Sequence, residues 1–157
     1  MVMAGDHEVA TPGFLVWRLS MKWRAAVDRA VAPLGLTHAQ YSVVASLLGM
    51  ERAGRRPSQR ELADHTGLDP IYVSKLVRTL ERAGLVERTE HPADSRAVEL
   101  SLSARGRHLA GQAIEIVRDL QERLTAPLGG TRSQRTATLL RDLRTLLDAP
   151  LADRRTP

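Results

Sequence analysis

Apolar residues recur along most of this chain at three- and four-residue intervals, a pattern that predicts helices. Capping residues divide them. Thr11-Pro12 puts a side-chain acceptor and then a proline at the first helical position, opening a helix to about Ala32, where Pro33 and Gly35 end it. Thr37 with Gln40 is a capping box for a second helix, to about Glu51. Gly54-Arg55-Arg56-Pro57 reads as a loop. Ser58 with Glu61 is another capping box, opening a short helix that stops near Thr66-Gly67. Asp69-Pro70 opens the next, which runs to Ala83 with Gly84 as its left-handed stop. Two short helices across a tight glycine turn form the pattern of a helix-turn-helix.

After Gly84 the period shortens to two. Leu85 to Thr89 is strand-like, and Val98, Leu100 and Leu102 alternate with Glu99 and Ser101 as in a half-buried strand. Glu90 to Ser95 are expected to form the tip of this hairpin. Ser103 caps a long helix to about Thr125, Pro127-Leu128-Gly129-Gly130 interrupts it, and Thr131 to Gln134 opens a last helix to Asp148. The predicted class is mainly α, an α+β winged helix-turn-helix. Residues 37–102 would form the winged domain. The helices at 11–36 and 103–148 would form a second, dimerising module, with frayed ends at 1–10 and 149–157.

The helix over 70–83 has two unlike faces. Val73, Leu76, Val77 and Leu80 share the inward side. Ile71, Ser74, Lys75 and Arg78 share the other, with Tyr72 and Thr79 on its flanks. Lys75 and Arg78 can donate to guanine or phosphate, Ser74 can bond either kind of base edge, and Ile71 can meet a thymine methyl. Ser58 and Gln59, at the start of the preceding helix, and Arg88 on the hairpin complete the candidate DNA contacts available from position alone.

The flanking helices carry more apolar surface than a small winged domain can cover. Phe14, Leu15, Trp17, Leu19 and Met21 lie in the first helix, and Leu139, Leu140, Leu143, Leu146 and Leu147 in the last. Burial against a second copy is the economical solution, and a two-fold dimer reads a roughly palindromic site.

Composition sharpens this only slightly. With 23 basic and 18 acidic residues the formal charge is +5, which favours a polyanionic partner. From Arg55 to Arg107 there are ten basic and eight acidic residues, so electrostatics supports DNA binding without deciding it. Aromatic residues make up 3%, too few for base-stacking platforms of the single-strand or RNA-binding kind. The absence of cysteine excludes thiol redox chemistry, disulfides and cysteine-ligated zinc. No apolar run approaches the roughly 20 residues of a membrane span, and no secretory signal is visible, so a cytoplasmic protein is expected.

Two stretches carry a family likeness. Ala32-Pro33-Leu34-Gly35-Leu36-Thr37-His38-Ala39-Gln40-Tyr41 resembles the passage from first to second helix in MarR-family regulators. Leu85-Val86-Glu87-Arg88, then Asp94-Ser95-Arg96, then Val98 to Leu102, Ser103 and Gly106 is similar to that family's wing and its exit into the fifth helix. The resemblance implies a homodimer built by the first, fifth and sixth helices, with each reading helix in a major groove of double-stranded DNA. It makes Arg96 the arginine that reaches the minor groove and Asp94 the carboxylate that holds it. Ser95 departs from the basic residue often found between them. The resemblance also implies a crevice for a small aromatic or phenolic effector, which Trp17, Trp23 and Tyr41 could help line; the tryptophans serve equally well as dimer core. A ligand-responsive repressor is the expected role, and neither a membrane partner nor a cofactor is implied.

Other chemistry is poorly supported. His7, His38, His65, His91 and His108 are scattered, and Glu61 with His65 lacks the HExxH pattern. Metal sensing through His38 and His108 is the one metal reading their positions allow. There is no phosphate loop, catalytic triad or paired-carboxylate signature, so no enzyme is expected. A winged helix used only for protein contacts, or a sequence-blind architectural binder, are the competing readings, and neither needs base-edge chemistry at Ile71 and Ser74.

Overall fold

The computed structural model describes residues 10–91 and 93–151; the side chains of residues 91 and 94–97 lie outside that description. Its elements in order are α1 (Pro12–Val31), α2 (His38–Arg52), α3 (Gln59–Thr66), α4 (Pro70–Arg82), β1 (Val86–His91), β2 (Asp94–Leu102), α5 (Ala104–Thr125) and α6 (Gln134–Asp148). Single 3-10 turns at Ala32–Leu34 and Ala126–Leu128 follow α1 and α5. The chain divides into two compact units, the first ending at Val117 and the second beginning at Arg118.

The helices begin where side chains can satisfy their first N–H groups, a contribution of roughly 1 kcal/mol at each cap. Thr37 Oγ1 accepts the Gln40 N–H at 3.2 Å while Gln40 Oε1 accepts the Thr37 N–H at 3.0 Å. Ser58 and Glu61 repeat the reciprocal pair at 3.1 and 2.7 Å. Asp69 Oδ1 accepts from Ile71 and Tyr72, and Ser103 Oγ accepts from Gly106. Between α3 and α4 the chain reverses through Gly67 at φ 71°, a left-handed conformation that favours glycine.

The first unit is held by one apolar core. Val27 and Val31 of α1 lie with Val43, Val44 and Leu47 of α2, Leu62 of α3, and Val73, Val77 and Leu80 of α4, all essentially without solvent contact. Val86, Leu100 and Leu102 close it from the hairpin. Each such side chain contributes roughly 1.5–3 kcal/mol of burial, so this core outweighs any surface interaction of the domain.

The hairpin is longer than the alternation of apolar residues predicts. Pairing runs from Val86↔Leu102 to His91↔Asp94, with a register shift between Glu90 and His91. Residues expected in a six-residue tip are therefore mostly in the strands. Ladder hydrogen bonds need only backbone, and the sequence Glu90-His91 and Asp94-Ser95-Arg96 carries no apolar alternation, so side-chain alternation underestimates the strands. The Leu100 N–H also donates to the Pro57 carbonyl at 2.8 Å, and Ser58 bridges Glu99, adding a third short extended segment.

In the second unit, Glu122 accepts from both the hydroxyl and the N–H of Thr131, which holds its carboxyl below the usual range. Thr136 is buried and donates to the Gly130 carbonyl at 2.8 Å, closing the turn into α6. Most of the apolar residues of α6 stay exposed in the single chain, as do those of the first half of α1.

Burial also shapes the α1–α2 contact. The backbone N–H of His38 donates to Asp28 Oδ1 at 2.6 Å, and desolvation pulls the His38 imidazole below its ordinary 6.5, opposed by Asp28 and assisted by Arg24. An unfolded chain then binds the proton more readily than the folded one. Stability from this group is complete above about pH 6.5 and is lost as pH falls towards the folded value. Thermal melts between pH 7.5 and 5 are expected to show a falling midpoint, with a shallower fall in His38→Gln. Parallel curves for the two proteins would contradict this assignment.

Candidate nucleic-acid interface

The surface built by α3, α4 and the hairpin follows from one packing decision. Val73, Leu76, Val77 and Leu80 turn into the core, so the opposite face of α4 must point outwards. Ile71 is 69% exposed, and Tyr72, Lys75, Arg78 and Thr79 are exposed beside it, with Ser74 half-buried. An isoleucine left this far in water has no stabilising role in the chain itself. Among the described residues neither Lys75 nor Arg78 has a carboxylate partner, so both cations remain available to an external anion or base edge.

Among the other candidates, Ser58 and Arg88 are already engaged within the chain. The Ser58 hydroxyl oxygen caps α3 and Gln59 is half-buried at its first position. Arg88 sits in β1, yet its Nε lies 3.0 Å from Glu81 Oε2 near the end of α4. Both side chains are about a third exposed, so the pair adds at most about 1 kcal/mol; its effect is to orient the hairpin against α4. The Arg88 guanidinium retains its Nη donors for a further contact. The Asp94–Arg96 pair expected at the wing lies outside the described side chains.

The effector candidates differ among themselves. Trp17 is 58% exposed and meets the Phe14 ring with centroids 6.5 Å apart. Trp23 and Tyr41 are half-buried, and burial raises the Tyr41 hydroxyl above its usual range. A shallow groove along the outer side of α2 has a volume of about 430 Å³ and is lined by Ala45, Ser46, Gly49, Met50, Ala53, Arg55 and His65; none of the three aromatic residues walls it. Among the described residues no group of three or more His, Asp or Glu side chains could hold a metal ion, and His38 and His108 are not brought into one. No described helix is long and apolar enough to cross a membrane.

Sequence reasoning missed the long-range contacts made at the root of α5. Glu51, in the last turn of α2, accepts the Leu102 N–H at 2.8 Å and pairs with Arg107 Nε at 2.8 Å. Arg105 Nη1 donates to the Ala83 carbonyl at 3.0 Å. Gly106 lies against the Leu85 backbone. No local signal could have found Glu51 and Arg107, which are 56 positions apart.

Comparison with known proteins agrees with this geometry. The profile of the MarR family matches residues 34–97. The chain is 36% identical over 112 residues to an uncharacterised HTH-type transcriptional regulator of Bacillus subtilis, covering 71% of this chain and 76% of that one. It is 32% identical over 139 residues to an HTH-type transcriptional repressor of Mycobacterium tuberculosis, covering 88% and 97%. The fold superposes on the transcriptional repressor CouR, solved with a 23-mer DNA duplex, with a TM-score of 0.78 and 28% identity over 94% of this chain and 99% of that one.

Proposed function

The chain belongs to the MarR family of winged helix-turn-helix transcription regulators, and from that premise we propose that it is a ligand-responsive repressor that binds a pseudo-palindromic operator as a homodimer. The observation that carries the reading is the outer face of α4, where an exposed Ile71 stands beside Lys75 and Arg78, two cations without a carboxylate partner among the described residues. An apolar contact and two donors on one helical face suit a major groove, where thymine methyls and guanine acceptors lie side by side. The N-terminus of α3 would rest on the backbone through Ser58 and Gln59. The wing, residues 88–96, would reach the minor groove, with Asp94 holding Arg96 by a bidentate pair and Arg88 lending a second cation.

Dimerisation is supported by the apolar residues that the single chain leaves in water. Phe14, Leu15, Trp17, Leu140, Leu146 and Leu147 are all exposed, which is costly for a lone chain and ordinary for half of an interface. In this reading residues 11–36 and 103–148 form the shared module and residues 37–102 the DNA-reading domain. Repression follows the relatives named as repressors. The effector would be a small aromatic or phenolic molecule bound near Trp17, Trp23 and Tyr41, favouring one arrangement of the dimer by a few kcal/mol of differential affinity.

The test is fluorescence anisotropy on DNA from upstream of its own gene and on a shuffled duplex, across a salt series. A preference of about 10³ or more for the upstream duplex is expected. Equal affinity for both would remove autoregulation, and absence of binding at low salt would remove DNA reading altogether. The chain has two tryptophans, so titration with a benzoate-class acid should quench their emission and release the upstream duplex together. Quenching without release would separate binding from control.

A further inference from the structure

The first turn of α5 is gripped from two sides. On one side it holds the carboxyl end of α4: Ser103 Oγ donates to the Gly84 carbonyl at 2.6 Å, the Ser103 N–H to the Leu85 carbonyl at 3.0 Å, and Arg105 to the Ala83 carbonyl. On the other it holds the carboxyl end of α2, where Arg107 places Nε 2.8 Å from Glu51 Oε2 and Nη2 3.4 Å from Oε1. Arg105 and Arg107 are two residues apart, hence about 200° apart around the helix. A single attachment would leave a pivot; attachments on opposite flanks oppose rotation in either sense.

Glu51 is the less exposed partner, with 15% of its side chain accessible against 48% for Arg107. Its Oε1 also takes the Leu102 N–H, so one carboxylate ties α2, the end of β2 and α5. The planar fork of Arg107 on a carboxylate anchored in this way fixes a direction, which a lysine point charge would not. That direction matters because α5 is long. It has 22 residues and so extends about 33 Å. Over its part within the first unit, residues 104–117, about 20 Å, a tilt of about 9° at the root displaces the helix by about 3 Å, close to the step between successive base pairs.

We propose that Glu51 and Arg107 are positioning residues that set the half-site spacing read by the dimer. They touch no DNA; they hold the angle at which α5 leaves the reading domain, and that angle determines how far apart two reading helices lie. The inference rests on the dimeric, palindrome-reading function proposed above. A pair that merely stabilised the fold would lower the melting temperature and leave spacing preference alone.

The experiment uses the full chain and a duplex that the wild-type protein selects from a randomised pool. Derivatives carry one or two base pairs inserted or removed at the centre, and a further duplex keeps one half-site. The wild type is expected to prefer its own spacing at least about tenfold over a one-base-pair change, the size of a single mismatched position. Arg107→Gln should reduce that preference to about two- to threefold with half-site affinity unchanged. Glu51→Gln should do the same, since it keeps an acceptor for Leu102 but loses the charge that holds Arg107. Arg107→Lys should fall between. Spacing profiles that superimpose on the wild type overturn the proposal, whatever happens to the melting temperature. Loss of half-site affinity in step with the full site also overturns it, because the pair would then be holding the reading domain itself. A wild type indifferent to spacing overturns the dimeric reading, and the inference falls with it.

Discussion

Gly106→Ala is expected to destabilise the folded chain by about 3 kcal/mol, the upper part of the range for overpacking a filled site. A methyl group at this position would overlap the Leu85 carbonyl oxygen and come within 2.9 Å of its carbon and 3.2 Å of Leu85 Cα. All three are backbone atoms, so no flexible side chain can move aside. Relief requires α5 to lift from the start of the wing. That movement pulls Ser103 from the Leu85 and Gly84 carbonyls and Arg105 from the Ala83 carbonyl. For a chain of this size the melting midpoint should drop by about 6–12 °C. Gly49→Ala supplies the contrast: Gly49 is an exposed glycine inside α2 with nothing near its absent Cβ. There alanine should raise stability by up to about 1 kcal/mol through helix propensity. Equal melting temperatures for Gly106→Ala and the wild type would show that α5 is not seated on Leu85 as described.

The contrast between these glycines shows where sequence reading succeeds. Helix starts were legible because a cap is a local device: Thr37 with Gln40, Ser58 with Glu61 and Asp69 before Pro70 announce themselves within four residues. The two faces of α4 were legible because period and burial agree from Val73 to Leu80. The length of the hairpin was not, since backbone pairing past Glu90 leaves no alternation to read. The partner of Arg88 was not either, because Glu81 lies on another element and becomes a neighbour only after folding. The root of α5 illustrates this limit most fully. Gly106 is conspicuous in the sequence as a glycine early in a helix, but its reason, the Leu85 backbone, and the Glu51–Arg107 pair exist only in three dimensions.

Replacing Lys75 and Arg78 together by alanine should abolish the distinction between the upstream duplex and a shuffled one. Each good base contact is worth about 1–3 kcal/mol, and in the homodimer proposed above each substitution would count twice on a palindromic site. The summed loss, about 4–12 kcal/mol, is of the same size as the usual gap between specific and non-specific binding, which is about 4–10 kcal/mol. Affinity for the upstream duplex should therefore fall to the non-specific floor and stay there. Both side chains are exposed and unpaired among the described residues, so the melting temperature should hardly move. Salt separates the two ways in which these cations can act. Cations that bond to bases support affinity for the upstream duplex alone, so their removal spares the shuffled one. Cations that neutralise phosphates support both, and the slope of log affinity against log salt then falls by about 0.9 for each phosphate no longer neutralised. Ile71→Ala completes the comparison, because it removes no charge. A lower upstream affinity with an unchanged salt slope would place Ile71 against a base, and unchanged affinity would take the apolar part of the α4 face out of the interface.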